Sequence, residues 1–308
     1  MKSLKYFAPI ILYIISLKSF WLTGIAVWLP VIYSFGLIPL LELLLKPNHK
    51  NLSQAEEDLA KTNKWYDYML YLIVPLQFIA IYLFLIGFSQ TNLNLFDIAG
   101  RIASMGVLCG TFGINVGHEL GHRTNIWEQR MAKVLLMSSL YMHFFVEHNK
   151  GHHKNVATLI DPASARFNEP VYLFYFRSIF YSYLSAWQIA NLEMRKKGFK
   201  VFSFQNEMVQ FHLIEIAFLL IVGFVFGLKI TLYFMIAALI GILMLETVNY
   251  IEHYGLQRKR SESGNYERTI PSHSWNSDHI LGRILLFELS RHSDHHYMAS
   301  RKYQILKS

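Results

Sequence analysis

The sequence predicts an all-α integral membrane protein of about six transmembrane helices with a histidine-rich site on one face. Three observations carry this. Of 308 residues, 53% are hydrophobic and only 16% charged, where a soluble domain carries about 25% charged residues. Mean hydropathy is +0.26. Apolar runs approaching the roughly 20 residues that a bilayer core requires recur along the chain.

The elements follow in order. The first apolar run, 4–17, is short, and Lys18 behind it has to snorkel to the interface. The second begins near Leu22 and covers 31–45. The third, 68–88, has no charge and one proline, Pro75, which a membrane helix tolerates as a kink. The fourth, 102–117, is short and glycine-rich. Its Gly106-x-x-x-Gly110 and Gly113-x-x-x-Gly117 spacings let a neighbouring helix approach closely, or alternatively shape a cavity. Runs 213–228 and 231–250 form a hairpin around Gly227 and Lys229. The expected architecture is six helices in three hairpins, one membrane-embedded domain over 1–308, without repeats or low-complexity segments.

Charge orients the bundle. With the N-terminus in the cytoplasm, segments 1–6, 46–65, 118–211 and 251–308 are cytoplasmic and hold 26 of the 29 Lys and Arg. Only Lys18, Arg101 and Lys229 fall on the far side, a strong positive-inside pattern. Nearly every histidine lands on the cytoplasmic face, although histidine played no part in setting the topology. Met1–Lys5 is basic, but the apolar run leads straight into more apolar sequence, so it reads as a retained segment and not a cleavable signal. Residues 171–190 are too polar to cross and too aromatic to float free. With Tyr172, Phe176, Phe180 and Trp187 ahead of Arg195, Lys196 and Lys197, they predict a helix lying in the headgroup zone. A seventh span is the alternative.

The net charge of +8 favours anionic headgroups or an acidic protein partner. Nucleic acid is a poor match, because the basic residues are interleaved with membrane segments. The single cysteine, Cys109, excludes an internal disulfide, a Cys-rich zinc module and an Fe–S cluster. The 14 histidines are the abundant metal ligands that remain.

Nine of them lie in four short segments: His118-Glu-Leu-Gly-His122, His148-Asn-Lys-Gly-His152-His153, Glu252-His253 and His292-Ser-Asp-His295-His296. On a helix, residues at i, i+3 and i+4 share a face, so each multi-histidine segment aims two or three imidazoles at one point. Imidazole suits iron, zinc, copper and nickel. Nine are too many for one ion and suit two ions at four or five each. Structural zinc stops at four ligands, and catalytic zinc keeps three plus water. A redox iron pair using dioxygen is the better fit.

The remaining histidines are weaker candidates. His49, His143 and His212 read as packing or headgroup residues. His273 is intermediate, as a ligand or a supporting residue, and His279 less so. Ligating histidines usually donate their second N–H to a carboxylate or carbonyl. Glu119, Glu252, Asp294 and Asp161 are placed for that role, although each also reads as a surface charge or helix cap. Glu246 lies inside the sixth span, where an ionisable side chain is costly; it bonds either a ligand or a neighbouring helix. His118-Glu119-x-x-His122 also matches the zincin motif, but a membrane protease would leave the other segments idle.

At these residues the sequence resembles the membrane alkane 1-monooxygenases, within a histidine-rich group that includes membrane fatty-acid desaturases and xylene monooxygenases. The multi-histidine segments belong to the wider group. The more particular matches are Asn249-Tyr-Ile-Glu-His253-Tyr-Gly-Leu256, Arg291-His-Ser-Asp-His-His296, His273-Ser-Trp-Asn276 and Asp161-Pro-Ala-Ser-Ala-Arg166. The resemblance implies six transmembrane helices and a cytoplasmic site of two non-haem irons in a bacterial inner membrane. It implies ligation by His118, His122, His148, His152, His153, His253, His292, His295 and His296. It implies hydroxylation of a terminal C–H bond of medium-chain alkanes with dioxygen, using electrons from rubredoxin and, upstream, rubredoxin reductase. No Cys-x-x-Cys rubredoxin segment is present, so the donor is a separate protein. Family members continue well beyond the last histidine segment, whereas this sequence stops at Ser308 and reads as a truncated or naturally short form. The nearest rivals are an acyl-chain desaturase or hydroxylase and a xylene-type methyl monooxygenase. A metal transporter or sensor is a rival of another class, which predicts metal flux without oxygen consumption.

Overall fold

A computed structural model describes residues 2–89 and 93–308. The first apolar run folds as a 3-10 turn, Lys2–Phe7, and an 11-residue helix α1, Pro9–Ser19. By itself α1 is only about half as long as a bilayer core is thick. Together with the turn it nevertheless runs beside a full-length helix, α4 (Trp65–Gly87). The ring of Tyr6 packs 5.8 Å from that of Tyr66 at one end, and a Cβ on Gly87 at the other would stand 2.8 Å from the Phe20 carbonyl oxygen.

Among the described residues, five helices are long and apolar enough to cross a membrane: α2 (Gly24–Leu44), α4, α5 (Leu95–Gly121), α9 (Glu207–Phe226) and α10 (Leu228–His253). Between α2 and α4, the short helix α3 (Gln54–Thr62) starts at a capping box, Ser53 with Glu56. The hairpin of α9 and α10 turns at Gly227, whose φ of 84° favours glycine.

α5 is longer than the predicted 102–117. Polar residues ahead of it are satisfied within the protein: Asp97 accepts from the Gly24 backbone at 2.6 Å, and Arg101 donates to the carbonyls of Gly87 and Leu22 at 2.5 and 3.0 Å. At its other end the helix reaches Gly121, so His118 stands on its last turn. α5 is also the most enclosed span, 67% of its apolar window being buried against 11% for α9. Both glycine spacings make helix contacts, and Gly110 also lines a cavity. Gly106 and Gly110 face α10, where a Cβ on Gly241 would stand 2.7 Å from the Cys109 Cβ and 2.8 Å from the Gly110 nitrogen. Gly113 and Gly117 face Ser139 and Leu136, at and just beyond the end of α6 (Ile126–Met137).

Three i→i+5 turns interrupt the helices, at Tyr33–Leu37, Cys109–Ile114 and His148–His152. Such π turns recur at functional sites because they rotate the residues that follow. The third lies within α7, residues 144–155, where His153 N–H bonds the His148 carbonyl. α8 (Val171–Lys196) buries Phe174, Ser178, Ser182 and Ala186 and exposes Tyr172, Leu173, Phe176 and Phe180. It is the amphipathic helix that its aromatic sequence predicts, and it is not among the helices apolar enough to cross. The chain finishes with α11 (Ile280–Leu285), α12 (His292–Tyr297) and a tail packed under the bundle.

Candidate metal centre

Nine imidazoles from distant parts of the chain meet at one end of the bundle. His118 and His122 come from the end of α5, His148, His152 and His153 from α7, His253 from the last residue of α10, and His292, His295 and His296 from α12. They form two groups, His118, His122, His148, His153 and His295, and His152, His253, His292 and His296. Within each group the ligand atoms all lie within 4.8 Å of one another.

The Nε2 atoms face each other. In the first group His118–His122 are 3.2 Å apart, and His153 stands 3.1 Å from both His148 and His295. In the second, His152–His296 are 3.2 Å apart, His253–His292 3.1 Å and His292–His296 2.8 Å. Nitrogens bound about 2.1 Å from one first-row ion stand roughly 3.0 Å apart at right angles and roughly 4.2 Å apart in trans, while a tetrahedral edge is roughly 3.4 Å. The short edges in both groups are of the size that ligands of one shared ion require, so each group suits one ion. The rings of His153 and His296, one from each group, stack at 4.3 Å, so the two positions abut.

The first multi-histidine segment aims both imidazoles, His118 and His122, at one group as its spacing predicts, whereas the other two divide. Within α7 the π turn sends His148 and His153 to the first group and His152 to the second. Within α12, His292 and His296, four apart, share the second group, while His295 points to the first.

Burial disfavours the charged form of most of these imidazoles. Burial first, and neighbouring histidines second, hold His122, His148, His153, His292 and His296 well below the usual range, and His295 at about 3. His152 shifts the other way. Burial opposes its charge, but the Asp161 carboxylate, 2.9 Å from Nδ1, together with Glu147 and Glu246 outweighs it and raises the pKa. Asp161 is itself held by Ser164 and the Ala163 backbone, so it fixes the proton on Nδ1 and turns Nε2 to the group.

The other carboxylates divide. Glu252 places an oxygen 3.3 Å from His292 Nδ1. Glu119 and Asp294 serve the frame and not the histidines. Glu119 accepts from Arg123 at 2.6 Å and from the Tyr303 backbone at 3.1 Å. Asp294 takes Arg301 and the Lys307 backbone. Glu246 accepts from the Tyr141 hydroxyl at 3.0 Å. His273 also turns away: its Nδ1 accepts from Ile270 N–H, and its Nε2 lies 3.3 Å from Glu267. Its segment still braces the centre, for Ser274 Oγ is 3.4 Å from His253 Nδ1 and Asn276 caps α12 at Ser293 N–H. His49 pairs with Asp278, His212 bonds Tyr183, and His143 and His279 stand outside both groups.

Two clamps were not legible in the sequence. Arg123 and Lys302 share Asp67, tying α5 to α4 and the tail. Arg291 reaches Asp278 and the carbonyls of Leu306, Asn48 and Lys50, fixing α12. Nor does local pattern single out Glu147: its carboxyl is pushed up to about 8 by burial, and it lines a small buried cavity with Glu246, Tyr141 and Asn249.

A mostly apolar cavity of about 380 Å³ lies among the helices that carry the histidines, with none of the nine imidazoles in its wall. It is bounded by Phe35 and Ile38 of α2, Gly110 and Asn115 of α5, Val248 of α10 and Leu286 behind α11. Asn115 stands three residues before His118, and Leu289, also on the wall, three before His292.

The family model described as fatty acid desaturase matches residues 98–308, which places the chain in the histidine-rich class of membrane desaturases and hydroxylases. The alkane 1-monooxygenase of Ectopseudomonas oleovorans is 36% identical over 284 residues, 92% of this chain and 71% of that protein. Alkane 1-monooxygenase 1 of Alcanivorax borkumensis is 35% identical over 92% of this chain and 71% of its own. The hydroxylase component of a xylene/toluene monooxygenase from Pseudomonas putida is 25% identical over 96% and 78%. The chain belongs to the family of membrane alkane 1-monooxygenases.

Proposed function

We propose that the protein is a membrane monooxygenase in which the nine histidines hold two iron ions, and that it converts a medium-chain alkane to its primary alcohol. The convergence of nine buried imidazoles as a group of five and a group of four carries this reading. A terminal C–H bond offers no charge, leaving group or acidic proton. Bound iron supplies the activation of dioxygen that such a bond requires. The balance is alkane, dioxygen, two electrons and two protons giving alcohol and water.

The chain's own residues bind, orient and exclude water. Most of the imidazoles present neutral lone pairs, and Asp161 holds the tautomer of His152. The apolar cavity, with half-exposed Phe35 and Ile251 at its walls, takes an alkyl chain laterally and brings its end to the Asn115 and Leu289 level. The distribution of 26 of 29 Lys and Arg supports a bacterial inner-membrane protein of six crossings with this centre facing the cytoplasm. A separate rubredoxin would deliver electrons there, with exposed Lys259 and Arg260 available to an acidic partner.

Cells expressing the protein with a supplied rubredoxin system are expected to convert dodecane to 1-dodecanol and leave a fatty acyl thioester and xylene largely unchanged. Purified protein should hold about two irons per chain. Products from the thioester or xylene alone, or zinc in place of iron, would reject the assignment.

Asp161→Asn keeps the shape of the residue but removes the carboxylate behind His152. Support groups of this kind are worth about 10- to 100-fold in metal affinity or activity. A loss of that size in iron retention under a chelator is expected, and wild-type retention would show that Asp161 only caps its own loop.

A further inference from the structure

A large open pocket lies outside the two histidine groups. It lies between α7, the 159–166 segment and α8, with a volume of about 660 Å³. Four cations line it, and they are not equivalent. Lys150 is paired with Glu193 at 2.8 Å, and Arg177 with Glu169 at 2.6 Å. Lys154 and Arg166 are exposed, and among the described residues neither side chain makes a close ion pair or hydrogen bond, although the Arg166 charge also acts on the nearby Glu169. Beside these two cations the lining is mixed, polar at Asn155, Asp161, Ser185 and Gln188 and apolar at an aliphatic patch. Leu159 and Ile160 are 60% and 66% exposed, and Leu184 and Leu192 of α8 complete the wall.

We infer that this pocket binds one anionic phospholipid, with its phosphate at Lys154 and Arg166 and its acyl chains along α8. Exposed cations alone would suit any anion. The bare aliphatic side chains beside them, however, need covering by something apolar. The pocket-lining stripe Tyr181, Leu184, Gln188 and Leu192 also adjoins the exposed aromatic face of α8 at Phe176 and Phe180. That amphipathic helix belongs at headgroup level, where an anionic lipid can bring both halves of the match. The inference rests on the membrane placement proposed above and is independent of the iron assignment.

Full-length protein in detergent, titrated with dioleoyl phosphatidylglycerol or dioleoyl phosphatidylcholine and read by native mass spectrometry, tests it. The wild type should retain one phosphatidylglycerol in preference to phosphatidylcholine. Lys154→Gln with Arg166→Gln should weaken that retention by roughly 30-fold, at about fivefold per basic residue. The iron content should stay at the wild-type level, which separates this result from any failure of the metal assignment. Lys196→Gln, an exposed charge elsewhere on α8, should change nothing. The single variants serve if the double variant does not fold. Unchanged retention in the double variant overturns the inference. Displacement by millimolar inorganic phosphate also overturns it, leaving a simple phosphate site. A raised KM for rubredoxin with lipid retention intact would make the pocket a protein-docking surface instead, and overturns it equally.

Discussion

Replacing His296 by alanine is expected to abolish alkane hydroxylation and to lower bound iron from about two per chain to about one. His296 belongs to the smaller group, where its Nε2 stands 2.8 Å from His292 and 3.2 Å from His152. Its removal leaves three imidazoles there, while the group of five is untouched. Carboxylates behind a ligand are already worth about 10- to 100-fold, so loss of the ligand itself should exceed 100-fold in turnover. His295→Ala gives a contrast. It leaves four imidazoles in the larger group, so activity should fall as far while more of the iron is kept. Metal analysis beside dodecane turnover decides the matter. Two irons and normal turnover in His296→Ala would mean that the four-histidine group is a packing cluster.

The contrast rests on a grouping that spacing alone could not give. The four histidine segments, the number nine and the inference of two ions are legible because imidazoles repeated at such short intervals do little for packing and much for metal binding. The division into five and four is not, because it depends on the π turn at His148–His152, which splits neighbours that an ordinary helix would keep on one face. The supporting residues were partly legible. Asp161 and Glu252 lie at histidines, but Glu119 and Asp294, equally close in sequence, answer to Arg123 and Arg301. Arg291 directly precedes the last histidine segment, yet the partners that fix it there include Asp278, 13 residues away, and Asn48, 243 residues away, beyond the reach of local pattern. The extension of α5 was hidden by Asp97 and Arg101, whose polarity looks like a loop until the Gly24 backbone and the Gly87 and Leu22 carbonyls satisfy it.

Gly241→Leu is expected to cost the folded protein, although Gly241 touches no histidine. A Cβ at this position would meet the Gly110 nitrogen at 2.8 Å and the Cys109 backbone carbon at 3.0 Å. These are backbone atoms in the middle of a buried helix, so relief requires α5 and α10 to move apart. Overpacking a core usually costs about 1–3 kcal/mol, with the higher values where rigid atoms must shift. The effect then reaches the metal centre, because α5 carries His118 and α10 carries His253, one from each group. Separating the two helices pulls on both ion positions at once. Gly241→Leu should therefore fail to yield monodisperse, iron-loaded protein, and Gly241→Ala should fold with a lower melting temperature and less iron. Gly36→Ala is the matched control, since its Cβ would meet only Ile32 Cγ2 at 3.9 Å. Wild-type melting and iron content in Gly241→Leu would show that the glycine contact does not set the distance between the helices that hold the two halves of the site.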